Sequence, residues 1–173
     1  MRFGKPFFLV VFFICIFESL RLWFLAPLQM ASHFNKQGMP DGYMSKAGFF
    51  ASQGQVVLVV IGLGLLIQVL ILIIPTNWIN TPNREYWLRP EHRNEMVEAL
   101  SSFGAALFGI VLLVIQVGFE LSVYANLQEP VHFSAQTMLL AIGGFFIFSI
   151  LLLFQLTRYF LHPASDQKQK EPA

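Results

Sequence analysis

Long apolar runs alternate with short polar stretches in this chain, and four of the runs are of bilayer length. They are "PFFLVVFFICIFESLRLWFLA" (6–26), "SQGQVVLVVIGLGLLIQVLILII" (52–74), "ALSSFGAALFGIVLLVIQVGF" (99–119) and "AQTMLLAIGGFFIFSILLLFQL" (135–156). A hydrocarbon core about 30 Å thick takes about 20 helical residues to cross. The expected fold class is therefore all-α integral membrane: four transmembrane helices in an antiparallel bundle, with a small hairpin-like loop outside. The transmembrane domain is expected over 1–161, with an outer loop at 27–51, a cytoplasmic loop at 75–98 and a disordered polar cytoplasmic tail at 162–173.

The first run is the weakest, uninterrupted only from Phe7 to Phe17, and a basic "MRFGK" precedes it. Glu18 and Arg21 interrupt it, and no small-x-small site follows, so a retained helix is expected rather than a cleaved signal peptide. Lys and Arg set the orientation. Arg2, Lys5, Arg84, Arg89, Arg93, Arg158, Lys168 and Lys170 fall on one side, and only Lys36 and Lys46 on the other. Positive charge marks the cytoplasmic side, so both termini and the loop at 75–98 are expected there. Pro27 and Pro75 should close the first two helices, and Pro90 should start the third in its first turn.

Composition agrees. The chain is 55% hydrophobic and 12% charged, where soluble domains carry about 25% charge. The bilayer is the expected partner. A net charge of +1 gives no reason to expect nucleic acid. Cys15, the single cysteine, has no disulfide partner and no zinc-type spacing around it.

Helices associate in lipid through close backbone approach. Ser101, Ala105 and Gly109 recur every four residues, and Gly62 with Gly64, and Ala141 with Gly143 and Gly144, offer similar approach. Such a stripe serves internal packing or a homo-oligomer face. Ionisable groups within spans are costly and mark candidate sites. Glu18 and Arg21, three apart, can pair, and Gln116 and Glu120 reach the same depth on the third helix. An outward pocket roofed by residues 31–46 and His132 follows as an expectation. Gln68 and Gln155 are expected to bond between helices.

The stretch "ASHFNKQGMPDGYMSK" (31–46) holds a turn signature, "MPDG", between "SHFN" and "GYMS", which can pair as a hairpin; Ser45 can cap the second helix. His33, Asn35 and Asp41 fit no strong metal pattern, so no metal or cofactor is expected. In the cytoplasmic loop, Asn80, Pro82 and Asn83 favour turns. Tyr86 and Trp87 can bury against the bundle, and alternating Arg and Glu can form a salt-bridged surface. "EHRNE" lacks the second histidine of a metalloprotease helix. With no nucleophile–base set or phosphate loop, a non-enzymatic role is expected.

Pro27, His33, Phe34, Asn35, Gly38, Asp41, Gly42, Ser45 and Lys46 together resemble the domain of unknown function at the N-terminus of bacterial SdpI-type immunity proteins, with Ala31 where that family usually has proline. "NTPNREYWLRPEHRNE" (80–95) looks like a further signature of its standalone members. The resemblance implies a small bacterial inner-membrane protein. The immunity proteins protect against a secreted peptide toxin and sequester a repressor at the membrane, and they carry a further hydrophobic domain whose motifs this sequence lacks. The expected function is binding, immunity-like or signalling, with a protein or peptide partner at the outer loop. Candidate residues are His33, Asn35, Asp41, Tyr43 and Lys46 outside, Asn83, Arg84, Tyr86 and Trp87 inside. The alternative is a small oligomeric transporter or channel-like protein in which Glu18, Arg21 and Glu120 line a path.

Overall fold

A computed structural model describes residues 3–162, so the expected disorder of the tail beyond His162 falls outside the described residues. The order is α1 (Gly4–Leu25), β1 (Gln29–Phe34), β2 (Pro40–Ser45), α2 (Lys46–Ile73), the one-turn α3 (Arg84–Trp87), α4 (Arg93–Ala125) and α5 (Ala135–Leu161). Four of these helices are long and apolar enough to cross a membrane, and the chain is a multi-pass membrane protein. Proline stops two of them. α1 gives way to extended backbone at Ala26, before Pro27, and α2 at Ile74, before Pro75, because the residue preceding proline is driven out of the helical region. Pro90 opens a 3-10 turn that runs into α4. At 33 residues and 1.5 Å per residue, α4 is about 50 Å long. It therefore outreaches a hydrocarbon core of about 30 Å at both ends, and α4 and α5 both extend past the apolar runs that announce them.

α4 is the hub. It packs against α1, α2 and α5, and close approach occurs where the small residues lie. Gly109 meets Phe7 of α1, where an added Cβ would stand 2.8 Å from the ring; Gly104 meets Gln68 of α2, and Gly64 of α2 meets the Phe108 ring. Gly4 lies so close to Ser102 that any Cβ would overlap the Ser102 carbonyl. Residues four apart on a helix drift by about 40°. The Ser101–Ala105–Gly109 stripe accordingly starts against α2, through Gln68, and ends against α1, through Phe7. It is used for internal packing. Gly62, Gly143 and Gly144 meet nothing within 4 Å, contrary to expectation: Gly62 and Gly143 are exposed, and Gly144 borders a hollow that keeps it apart from Leu113 and Val117 of α4.

Three apolar clusters line α4 from end to end. Leu22, Ala26, Met30, Phe119 and Val123 lie at the hairpin end, Val11, Cys15 and Leu112 in the middle, and Trp87, Met96, Ala99 and Phe160 at the α3 end. The outward faces of α2 and α5 present Leu58, Leu66, Leu140 and Ile150 without cover, as side chains facing hydrocarbon do.

Gly109→Leu should therefore destabilise the bundle by about 1–3 kcal/mol through overpacking, while Gly143→Ala should leave it unchanged. Thermal unfolding of both variants in one detergent checks this; equal midpoints would contradict the packing described.

Candidate functional site

The polar stretch between α1 and α2 folds as an antiparallel hairpin, with Gln29 opposite Ser45, Met30 opposite Met44, Ala31 opposite Tyr43 and Phe34 opposite Pro40. Its turn is not at "MPDG" as expected. Asn35 organises it: the Asn35 Oδ1 accepts from the N–H groups of Gln37 (2.9 Å) and Met39 (3.0 Å), and Gly38 adopts φ +76°. An Asn side chain that mimics a backbone turn, followed by a glycine in the left-handed region, outcompetes a Pro-Asp-Gly turn, and residues 40–42 are drawn into β2. The irregular pairing about His33 and Phe34 brings the carboxylate of Asp41 onto His33 Nδ1. Both are substantially exposed, at 74% and 43% of their side chains.

The hairpin is fixed at several points. Asn126, at the end of α4, accepts from the Ala31 N–H (2.5 Å) and donates to the Ala31 carbonyl (3.0 Å), so its amide pairs with β1 as a neighbouring strand would. Phe133 N–H donates to the Gly38 carbonyl (2.9 Å), and a His132 ring nitrogen lies 3.2 Å from the Gln37 carbonyl oxygen. Lys46 donates to the Ala26 carbonyl (2.9 Å) at the C-terminus of α1 and lies over the Trp23 ring. Ser45 accepts from the Gly48 N–H (3.1 Å) and caps α2. Asn35, Gly38, Ser45 and Lys46 are thus structural. Tyr43 is 56% exposed and Met39 44%, whereas Met44 lies opposite the buried Met30 and shares its strand face.

Beneath the hairpin the intramembrane polar residues do converge. Arg21 donates to Glu18 (2.5 Å) and to the Tyr124 hydroxyl (3.1 Å). Ser19 donates to Gln116 Oε1 (3.4 Å), and Gln116 donates to Glu120 (3.4 Å). They do not line the roofed pocket expected from the sequence. Met30 and Ala31, both fully buried, pack with Leu22, Phe119 and Val123 and fill that space.

At the opposite end the loop is a clasp. Trp87 is buried and donates from its indole to the Phe160 carbonyl (2.9 Å); Asn83, in the left-handed region, donates to the Leu161 carbonyl (2.6 Å). Tyr86 stacks on His92 at 3.7 Å. The arginines do not form the expected salt-bridged surface. Arg84 donates to the Asn77 carbonyl (3.2 Å), and Arg93 to the carbonyls of Leu72 (3.0 Å) and Ile74 (3.2 Å), because Arg93 stands beside the carbonyls that α2 leaves without intrahelical partners at its end. Gln68 and Ser101 bond across α2 and α4 as expected, whereas Gln155 is exposed on α5. Asn126, Tyr124 and Arg93 were not singled out from the sequence. An Asn closing a long apolar run is a helix-end signal; nothing in the run announces Tyr124.

Residues 9–53 match the model of a domain of unknown function (DUF1648), and the chain carries that domain. It takes in most of α1, the whole hairpin and the start of α2, and so includes Glu18, Arg21, the His33–Asp41 pair and Lys46, but none of α4. No curated protein and no solved structure matches the chain.

Asn126→Ala should free the hairpin from α4 at a cost of about 1–3 kcal/mol, since it leaves both backbone groups of Ala31 unpaired. Amide hydrogen exchange across residues 29–45 should then accelerate while that of α5 does not change. Equal protection in both proteins would contradict the pairing.

Proposed function

We propose that this chain is a non-enzymatic, multi-pass protein of a bacterial inner membrane whose hairpin recognises a protein or peptide on the outer side. The observation that carries the reading is the contrast within the hairpin. Its backbone is held by Asn126 and Phe133, while Tyr43 and Met39 are exposed and belong to no cluster that holds it. A rigid mount with exposed aromatic and thioether side chains loses little entropy on binding, and Tyr is enriched among the residues that dominate interfaces. The excess of Lys and Arg around the α3 end and the termini supports a cytoplasmic location for both chain ends. The resemblance to SdpI-type proteins supports a peptide as the partner class.

Conduction is the less favoured reading. The polar groups from Ser19 to Tyr124 bond to one another, and Val11, Cys15 and Leu112 close the α1–α4 interface below them.

A photoreactive residue at Met39 in living cells should give a covalent adduct with a discrete protein or peptide. Tyr43→Asp in the same chain should reduce that adduct more than tenfold, as for an interface anchor worth about 2 kcal/mol. A Cys at Tyr43 should react with a membrane-impermeant thiol reagent in intact cells, and a Cys at Arg84 should not. Adducts indifferent to Tyr43→Asp, or the reverse labelling, would overturn the proposal.

A further inference from the structure

α1 and α2 both pack on α4, and they approach each other at the hairpin end, where the Trp23 and Phe50 rings meet at 5.0 Å. From that contact onward a cleft lies between them, floored by α4. One stretch, of about 420 Å³, lies at the contact, between Phe12 and Val57 over Leu112; a second, of about 380 Å³, lies between Leu9 and Leu65 over Ala105 and Phe108. Both stretches lie within candidate membrane spans, so whatever enters comes from the hydrocarbon.

The lining decides among occupants. It is almost wholly apolar, and Lys5 is the one charged side chain in it. A lipid, with an apolar chain and a charged head, matches both.

The end near α3 has a different chemistry. Lys5 lines the cleft there, and among the described residues it has no hydrogen-bond or ion-pair partner. Leu72 lines the same end, and its carbonyl holds Arg93 at 3.0 Å. Glu95 of α4, at this level, accepts from the Tyr159 hydroxyl of α5. Lys5 thus stands at the α3 end of the apolar cleft, and Arg93 is held by the carbonyl of a residue that lines it.

We propose that this cleft seats one acyl chain of an anionic glycerophospholipid, with the phosphate at Lys5 and Arg93. The site is independent of the hairpin's partner. Retention of lipid through detergent extraction follows from packing contact along the cleft, since a chain that leaves one hydrocarbon phase for another gains little from the hydrophobic effect. Selection for an anionic headgroup follows from the cations.

Native mass spectrometry of the detergent-purified chain, equilibrated with phosphatidylglycerol or phosphatidylcholine of identical acyl composition, tests this. One phosphatidylglycerol should be retained per protein, about fivefold over phosphatidylcholine. Ala105→Phe, which fills the floor of the cleft, should lower that occupancy at least about tenfold. Lys5→Gln, on an exposed side chain, should reduce the headgroup preference without abolishing retention, and it decides the matter alone if Ala105→Phe fails to fold. Equal retention of the two lipids by the unaltered chain, undiminished occupancy in a folded Ala105→Phe variant, or lipid-free dimers would each overturn the proposal.

Discussion

A helix that ends at a membrane surface leaves four backbone carbonyls without intrahelical partners, and meeting that demand shapes both polar connections of this protein. Lys46 serves the end of α1, Arg93 the end of α2, and Asn83 with Trp87 the end of α5. In every case the cap comes from a segment distant in sequence, or from the far side of a loop. The caps therefore fix tertiary structure while they satisfy local chemistry. A cationic cap also meets the negative end of the helix dipole, which suits Lys46 and Arg93 to their places better than a neutral donor would.

Between its ends the bundle relies on contact. In lipid there is little hydrophobic force to bring helices together, so geometry has to supply it. α4 does so by alternating small residues, which let α1 and α2 approach, with Phe108, Leu112 and Phe119, which fill what remains. α2 and α5 each use one face and give the other to the bilayer. The result is three helices held around a fourth, and the cleft between α1 and α2 is a direct outcome of that arrangement.

The sequence displays this architecture unevenly. Apolar runs of bilayer length reveal four spans, and Pro27, Pro75, Pro90 and Ser45 mark where helices stop and start, because each acts through local sterics or a bond a few residues away. The hairpin is legible too, but its turn is not: "MPDG" carries the stronger composition signal, and Asn35 wins through an Asx bond that depends on the strands being in place. Glycines mislead for a related reason. Gly143 and Gly64 are alike in sequence, and only the rotation of each helix about its axis shows that Gly64 meets a neighbour while Gly143 does not. The convergence of Arg21 with Tyr124, and of Asn126 with Ala31, needs the relative height of two helices, which no local pattern encodes.

The unbroken run of α4 from Arg93 to Ala125 contains no proline, and Asn126 fastens the hairpin directly to its end. Mechanically, that makes a lever with no joint in it. The shaft joins the hairpin to the far end of the bundle, where Met96 packs with Trp87 and Glu95 holds Tyr159.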